Sequence, residues 1–249
     1  MDSFRVLRNT QIVILGVCIA AATVVSSVIL SRGFIHVMKM TREQITVTGS
    51  ANKLIDSDYV VWRASLTVRD ADLAAGYKRL SADLDKVKRY LTAKGITEQE
   101  LIISQVGIER LYKKDEHGND TNEFMDNRLT QLIEIRSEDI SKITRVSREI
   151  TGLIEQGVEV NSAAPDYLYR KLDALKIEML AAATENAKQR AENMARATGN
   201  KIGSIRSARM GVFQITPSTS TDVSDAGIND TSSPDKKVTA VVTASFSID

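Results

Sequence analysis

The sequence predicts an α+β fold: a mainly antiparallel sheet with amphipathic helices on one face, preceded by one transmembrane helix. Two observations lead to this prediction. Residues 12–30 contain no charged side chain, and the rest of the 249-residue chain alternates between strand-like runs and segments with an apolar stripe at helical spacing. These segments follow in the order β-β-α-β-β-α-β-α-β-β, which is typical of helices packed on an antiparallel sheet. The two β-β-α stretches suggest a loose internal duplication.

The N-terminal hydrophobic segment is predicted to be a membrane anchor. Residues 12–30 read IVILGVCIAAATVVSSVIL, and a helix of this length, at about 1.5 Å per residue, spans the hydrocarbon core of a bilayer. A cleaved signal peptide is the alternative, because Ala20, Ala21 and Ala22 offer small residues for cleavage. The apolar run continues for two more turns beyond these alanines, which favours an uncleaved anchor.

The flanks of the anchor do not decide its orientation. Residues 1–11 are the predicted N-terminal tail and residues 31–43 a juxtamembrane linker. Basic residues are nearly equal in number at the two ends, so the positive-inside rule hardly discriminates. Gly16 and Ala20 stand four residues apart, a spacing that permits close packing of membrane helices. Ordinary anchor composition explains this spacing equally well.

The soluble part opens with two predicted strands and a helix. Residues 45–49 form a short strand that Gly49 ends, and residues 59–68 (YVVWRASLTV) form a second one, rich in β-branched and aromatic side chains. Asp70 or Asp72 caps the helix that follows. The apolar stripe of this helix consists of Leu73, Tyr77, Leu80, Leu84, Val87 and Leu91.

The middle of the chain predicts a hairpin, a helix and a short strand. Residues 101–112 and 124–135 are strand-like runs on either side of the polar turn 113–122, which predicts a β-hairpin with a long turn. Helical spacing returns in residues 138–154, and residues 157–161 are a short strand.

The C-terminal third predicts a long helix. Pro165 opens it, since proline is tolerated at the first helical position, and Gly199 ends it. One side of its second half carries Ala183, Ala187 and Ala191. Such small residues allow close contact, and we predict them as possible contacts to another copy of the chain. Packing within the chain is an equally physical use for them.

Two strands at residues 202–213 and 238–248 complete the predicted fold. Between them, residues 216–235 are rich in Ser, Thr and Asp, and we predict a mobile polar loop there.

Composition and motifs argue against several classes of function. Lys and Arg number 33 against 32 Asp and Glu, and this balance argues against nucleic-acid binding, which needs clustered excess Lys and Arg. The single cysteine, Cys18, lies inside the hydrophobic segment. His36 and His117 have no ligand set around them, and the chain lacks the G-x-S-x-G, G-x-G-x-x-G and Walker A motifs. We therefore predict no enzyme activity, no metal and no cofactor.

Three stretches carry a resemblance to a known family. They are ITVTGSA (45–51), LTAKGITEQELIIS (91–104) and AAATENAKQRAENMARATGNKIGSI (181–205). As an ordered set they resemble the SIMPL-domain family of bacterial exported proteins, and the resemblance extends over residues 44–249. It implies an exported or periplasm-facing domain that builds homo-oligomers, such as rings or channel-like cages. It also implies a link to oxidative-stress defence.

We therefore expect a membrane-anchored, non-enzymatic protein that forms a homo-oligomer in the cell envelope. It is expected in the inner membrane, with its soluble domain facing the periplasm or the cell exterior. The alternative is a binding module that engages a partner protein or a cell-wall polymer through the polar segments 113–122 and 216–235. The sequence does not identify a protein partner.

Overall fold

The computed structural model describes residues 15–34 and 44–248. The predicted N-terminal tail, the first residues of the anchor and most of the juxtamembrane linker, with His36, lie outside the described residues. Helix α1 (Leu15–Phe34) is the one helix of the described chain that is long and apolar enough to cross a membrane, and none of it is buried. A membrane anchor and a signal sequence share these properties.

The described residues after α1 form ten strands and three helices. In chain order they are β1 (Gln44–Asp56), β2 (Tyr59–Asp70), α2 (Leu73–Ala93), β3 (Leu101–Lys114), β4 (Asp120–Ser137), α3 (Ile140–Glu149), β5 (Val160–Ser162), β6 (Asp166–Leu168), α4 (Leu172–Ala197), β7 (Ile202–Met210), β8 (Gln214–Pro217), β9 (Ile228–Asn229) and β10 (Asp235–Ile248). Short 3-10 helices precede β3 and follow α3.

The strands form two five-stranded sheets. One has the order β3-β4-β2-β5, with β6 also paired to β2, and the other has the order β1-β10-β8-β9, with β7 also paired to β10. The pairs with a described register are antiparallel except β8 and β9, which are parallel. The predicted α+β class, dominated by antiparallel sheet and preceded by an apolar helix, is confirmed. The loose internal duplication stays a prediction.

The chain divides into two compact units. The first contains Ala181–Gly211 with the described parts of Met1–Ser50 and Val241–Asp249, and the second contains Ala51–Leu180 and Val212–Ala240. The sequence predicted one domain from residue 44 onward, because no linker-like composition separates the two units.

The core of the second unit lies against one face of β2 and β4. Alternate residues of β2 are buried, and the register places Trp62 opposite Ile135 and Val68 opposite Leu129. Helices α2 and α3 cover this face with buried apolar side chains. Asp72 caps α2, as predicted, by accepting hydrogen bonds from the amides of Ala74 and Ala75. The buried apolar side chains of α2 and α3 that cover the sheet are Leu80, Val87, Leu91, Ile143 and Val146.

The predicted start of the long helix is wrong. Pro165 precedes a strand, β6, and α4 begins only at Leu172. Tyr167 of β6 pairs with Val60, is buried, and has its hydroxyl 2.9 Å from Thr144 Oγ1. Burial in the sheet therefore decides the conformation after Pro165, and the local helix-start signal does not.

The predicted end of the first strand is also wrong. β1 continues through Gly49 to Asp56. Gly49 marks a close approach of backbones, because a Cβ at this position would lie 2.3 Å from the carbonyl oxygen of Ala183 and 2.3 Å from the amide nitrogen of Ala187.

The Ser/Thr/Asp-rich segment 216–235 has more structure than its composition indicates. It contains the end of β8 and the whole of β9, and its backbone is hydrogen-bonded at several points. The side-chain amide of Gln214 donates to the Ser224 carbonyl at 2.7 Å, and the backbone amide of Tyr167 donates to the Thr231 carbonyl at 2.7 Å. The mobility of the rest of the segment stays a prediction.

Candidate functional site

The β3–β4 hairpin extends beyond the sheet to which it belongs. β2 pairs with β4 only as far as Asn127, so residues 120–126 of β4 have β3 on one side and no described strand on the other. β3 is itself an edge strand of the sheet. The distal hairpin, residues 110–126, therefore has two free edges within the described chain, each with unpaired backbone donors and acceptors.

The distal hairpin exposes apolar side chains. Tyr112 and Phe124 are partners across the two strands and are 39% and 44% exposed, and Met125 is 52% exposed. A two-stranded hairpin is marginally stable in water by itself, and exposed aromatic pairs are typical of contact surfaces. These side chains would gain most from burial against another surface.

The turn of the hairpin is held by Asp115. Its carboxylate accepts hydrogen bonds from the amides of His117 and Asn119, both at 2.9 Å, and Gly118 takes a positive φ of 83°. Hydrogen bonds from Asn119 hold the pKa of Asp115 below its usual range. The exposed turn therefore has a defined shape, and His117 takes part in it through its backbone.

The two strands of the distal hairpin carry opposite charges. The β3 strand has basic residues at Arg110, Lys113 and Lys114, whereas the β4 strand has acidic residues at Asp120, Glu123 and Asp126. Lys113 and Glu123 form an ion pair at 2.9 Å within the hairpin. Both are more than half exposed, so this pair contributes little to stability.

A cavity of about 850 Å³ lies in the second unit, beside helix α3. Part of its lining comes from α3, part from the end of β1, and part from the chain that leads into β10. The last group includes Ser232, Pro234 and Asp235, so the predicted polar loop contributes to this cavity. Buried Tyr167 also lines it.

The alanine stripe of α4 is buried within the chain. Ala183, Ala187 and Ala191 are each 0% exposed, and the last two belong to an apolar cluster with Val47 of β1 and Phe246 of β10. This is the intrachain use of the stripe. The predicted contact with another copy through these alanines stays a prediction. Gly16 and Ala20 lie exposed on α1, and their membrane packing also stays a prediction.

A buried ion pair lies between the segment before β10 and β10 itself. The Lys236 side chain is 2% exposed, and its Nζ donates to the Asp230 carbonyl at 2.5 Å and lies 3.5 Å from Asp230 Oδ2. Burial lowers the pKa of Lys236 below its usual range. Sequence reasoning missed this pair, because a lysine at the start of a strand next to a Ser/Thr/Asp-rich segment is typical of a solvated surface.

In the described part of the chain, no group of three or more His, Cys, Asp or Glu side chains is placed to hold a metal ion. Cys18 is a free, exposed thiol on α1. The absence of enzyme activity and of a cofactor stays a prediction.

A family model described as "SIMPL: Protein of unknown function (DUF541)" matches residues 45–246. The chain belongs to the SIMPL family. This confirms the resemblance carried by the three quoted stretches, and the matched SIMPL region contains both the distal hairpin and the cavity. No curated protein matches the chain.

Proposed function

We propose that this SIMPL protein is a membrane-anchored, non-enzymatic component of the cell envelope that works as a homo-oligomer assembled through its distal hairpin. The observation that carries the proposal is the pair of free strand edges in residues 110–126, which flank exposed Tyr112, Phe124 and Met125.

The two free edges are complementary in backbone bonding and in charge. The β3 edge of one copy can add to residues 120–126 of β4 in the next copy and so continue the sheet. Basic residues of β3 would then lie beside acidic residues of β4, and opposite charges on neighbouring strands stabilise pairing. Each copy uses one edge as donor and the other as acceptor, so the contact is head-to-tail and generates a ring or a filament.

The helix α1 supports the same arrangement. If it is retained as an anchor, it holds all copies in one membrane with a common orientation, which favours lateral contacts between their soluble domains. We propose the inner membrane, with the domain facing the periplasm or the cell exterior. A role in envelope or oxidative-stress defence is part of this proposal and rests on the family resemblance alone.

A charge-exchange experiment tests the assembly. One variant carries Arg110→Glu and Lys114→Glu on β3, and the other carries Asp120→Lys and Glu123→Lys on β4. Detergent-solubilised full-length protein is measured by size-exclusion chromatography with light scattering. We expect the wild type to be a multiple of 27.4 kDa and each variant alone to be a monomer. An equimolar mixture of the two variants should recover larger assemblies of alternating copies, because the β3 edge of each variant is complementary in charge to the β4 edge of the other.

The matched control is the pair Lys78→Glu and Lys88→Glu on α2, which changes the same amount of charge away from the hairpin. This control should keep the wild-type mass. A monomeric wild type, or variants that assemble as the wild type does, would refute assembly through the hairpin.

The second candidate function is a binding module. The specific observation in its favour is that the polar segment 216–235 contributes Ser232, Pro234 and Asp235 to the 850 Å³ cavity beside α3. A monomeric wild type that binds a ligand in this cavity would favour the binding module over the assembly.

A further inference from the structure

The cavity beside α3 is lined by exposed charged side chains, and among them only Glu149 forms an ion pair with another described residue. Arg145 and Arg148 of α3 line it together with Asp56 at the end of β1 and Asp235 at the start of β10. Within the described residues, none of these four side chains has a hydrogen bond or an ion pair within 4.0 Å. Unpaired charges of both signs around one cavity provide binding groups for a charged ligand.

Arg145 interacts at longer range with the charge of Glu149, which also lines the cavity, but the two side chains form no ion pair within 4.0 Å. Glu149 is one turn away, but its carboxylate is bonded to Lys94 at 2.7 Å. Hydrogen bonding to Lys94 holds the pKa of Glu149 below its usual range, so this carboxylate is charged and already paired at neutral pH.

A neighbouring cavity of about 480 Å³ differs from the larger one in that its charged side chains are paired. It is also lined by charged residues, but there Arg170 bonds to Glu138 at 2.7 Å and lies 4.5 Å from the centroid of the Tyr59 ring. The charges of that smaller cavity therefore satisfy one another, and it offers a ligand little. In the larger cavity, by contrast, Asp56 and Asp235 lie on other elements than Arg145 and Arg148, and no ion pair within 4.0 Å joins the two groups.

We propose that the cavity beside α3 binds a short peptide with both ends free: its carboxylate at Arg145 and Arg148, and its ammonium group at Asp56 and Asp235. This inference deepens the second candidate function and does not depend on assembly through the hairpin. A cavity of this volume is within the range of small-molecule sites. The hydroxyl of Ser141 on its lining adds a hydrogen-bonding group for a peptide backbone.

The lining favours a peptide over other polar ligands. Tyr167 is the one aromatic residue of the lining and is buried with its hydroxyl next to Thr144, so a sugar or a nucleobase finds no stacking platform. A polyphosphate would be repelled by Asp56 and Asp235. A ligand with one charge of each sign fits both groups of side chains.

Isothermal titration of the full-length protein in detergent tests the proposal with four probes. They are tri-alanine, N-acetyl-tri-alanine, tri-alanine amide and free alanine. We expect tri-alanine to bind, and acetylation or amidation to weaken binding about tenfold each, since each removes a charge-assisted contact. Free alanine binding as tightly as tri-alanine would assign the same zwitterion chemistry to an amino acid.

Two variants test which residues bind the carboxylate of the ligand and which bind its ammonium group. Arg148→Gln should bind tri-alanine about tenfold more weakly and become insensitive to amidation, while keeping its sensitivity to acetylation. Asp235→Asn should show the reverse pattern. Arg89→Gln and Asp85→Asn, exposed on α2 and outside the cavity, are the matched controls and should bind as the wild type does.

The outcomes are separable from those of the assembly. Light scattering on the same samples reports the oligomeric state, which these cavity variants should leave unchanged. No binding of tri-alanine at millimolar concentrations, or equal binding of the free and the blocked peptides, would overturn the peptide site, whatever the oligomeric state.

Discussion

Gly49 of β1 lies so close to Ala187 of α4 that a Cβ on the glycine would be 2.3 Å from the alanine amide nitrogen. The neighbouring atoms are backbone atoms, so no side-chain rotation relieves the overlap. Strand and helix meet here through two residues with almost no side chain, and Ala187 is fully buried.

Gly49→Ala should therefore destabilise the protein. We expect the free energy of unfolding to fall by about 1–3 kcal/mol or more, because helix and strand must separate to admit the methyl group. Urea unfolding followed by circular dichroism measures the loss. Gly107→Ala on β3 is the control, since its added Cβ would meet the Thr130 carbonyl at an ordinary 3.6 Å. Equal stability of the two variants would contradict the close approach.

In the buried Lys236–Asp230 pair, replacing Asp230 should destabilise the protein more than replacing Lys236. Asp230→Asn leaves the buried ammonium without its counter-charge and should cost about 3–5 kcal/mol of unfolding free energy. Lys236→Met should cost less, about 1–2 kcal/mol, because the Asp230 carboxylate keeps hydrogen bonds from Ser232 at 2.9 Å and 2.7 Å. Chemical denaturation compares the two. Asp225→Asn, exposed in the same segment, should be neutral, and the opposite order of costs would be evidence against a buried ammonium.

Glu100 should make stability depend on pH in the acid range. Burial alone would raise the pKa of Glu100, but hydrogen bonds from Ser137 and Thr97 and the charge of Lys142 outweigh burial and lower the pKa below 4.5. The stabilisation that the ionised Glu100 carboxylate provides is therefore complete above pH 4.5. It is lost as the pH falls through the lowered pKa that Glu100 has in the folded protein. Glu100→Gln should be less stable than the wild type at neutral pH by about 1–2 kcal/mol and should lose less stability on acidification.

The control for this pH effect is Glu98→Gln, an exposed change in the same 3-10 helix. Denaturation midpoints of the three proteins, measured from neutral pH to pH 3, provide the comparison. Parallel curves for the wild type and Glu100→Gln would exclude the predicted linkage.

The soluble domain should lie outside the cytoplasm. With Cys18→Ser removing the single native thiol, Glu116→Cys in the exposed hairpin turn should react with a membrane-impermeant maleimide in intact spheroplasts. Ser3→Cys in the N-terminal tail should react only after the membrane is permeabilised. Labelling of Ser3→Cys in intact spheroplasts, with Glu116→Cys labelled only after permeabilisation, would contradict the proposed topology.

The anchor should remain on the mature protein. Intact mass spectrometry of membrane-purified protein should give about 27.4 kDa. A chain that begins near Ala22 or Thr23 would show that the apolar segment is a signal peptide, and the protein would then not be membrane-anchored by it.

The sequence alone determined the features that local pattern controls. The uncharged run predicted α1, the β-branched and aromatic residues of 59–68 predicted β2, and apolar spacing of three and four predicted α2 with a cap at Asp70 or Asp72, of which the structure shows Asp72. The hairpin around the polar turn was predicted within a few residues of its bounds. These features depend on side chains close in sequence, so one segment contains enough information to specify them.

Only the tertiary structure decided the features that depend on contacts distant in the chain. The local pattern predicts a strand end at Gly49, but this glycine is where β1 meets a helix more than 130 residues away in the chain. The local pattern predicts a helix start at Pro165, but burial of Tyr167 in the sheet keeps that segment extended. Lys236 is buried, and the cavity brings Arg148 of α3 together with Asp56 of β1 and Asp235 of β10, which are far apart in the chain. Sequence pattern therefore specified most of the elements and the chain's family, whereas packing between distant segments decided the end of β1, the strand after Pro165 and the lining of the cavity.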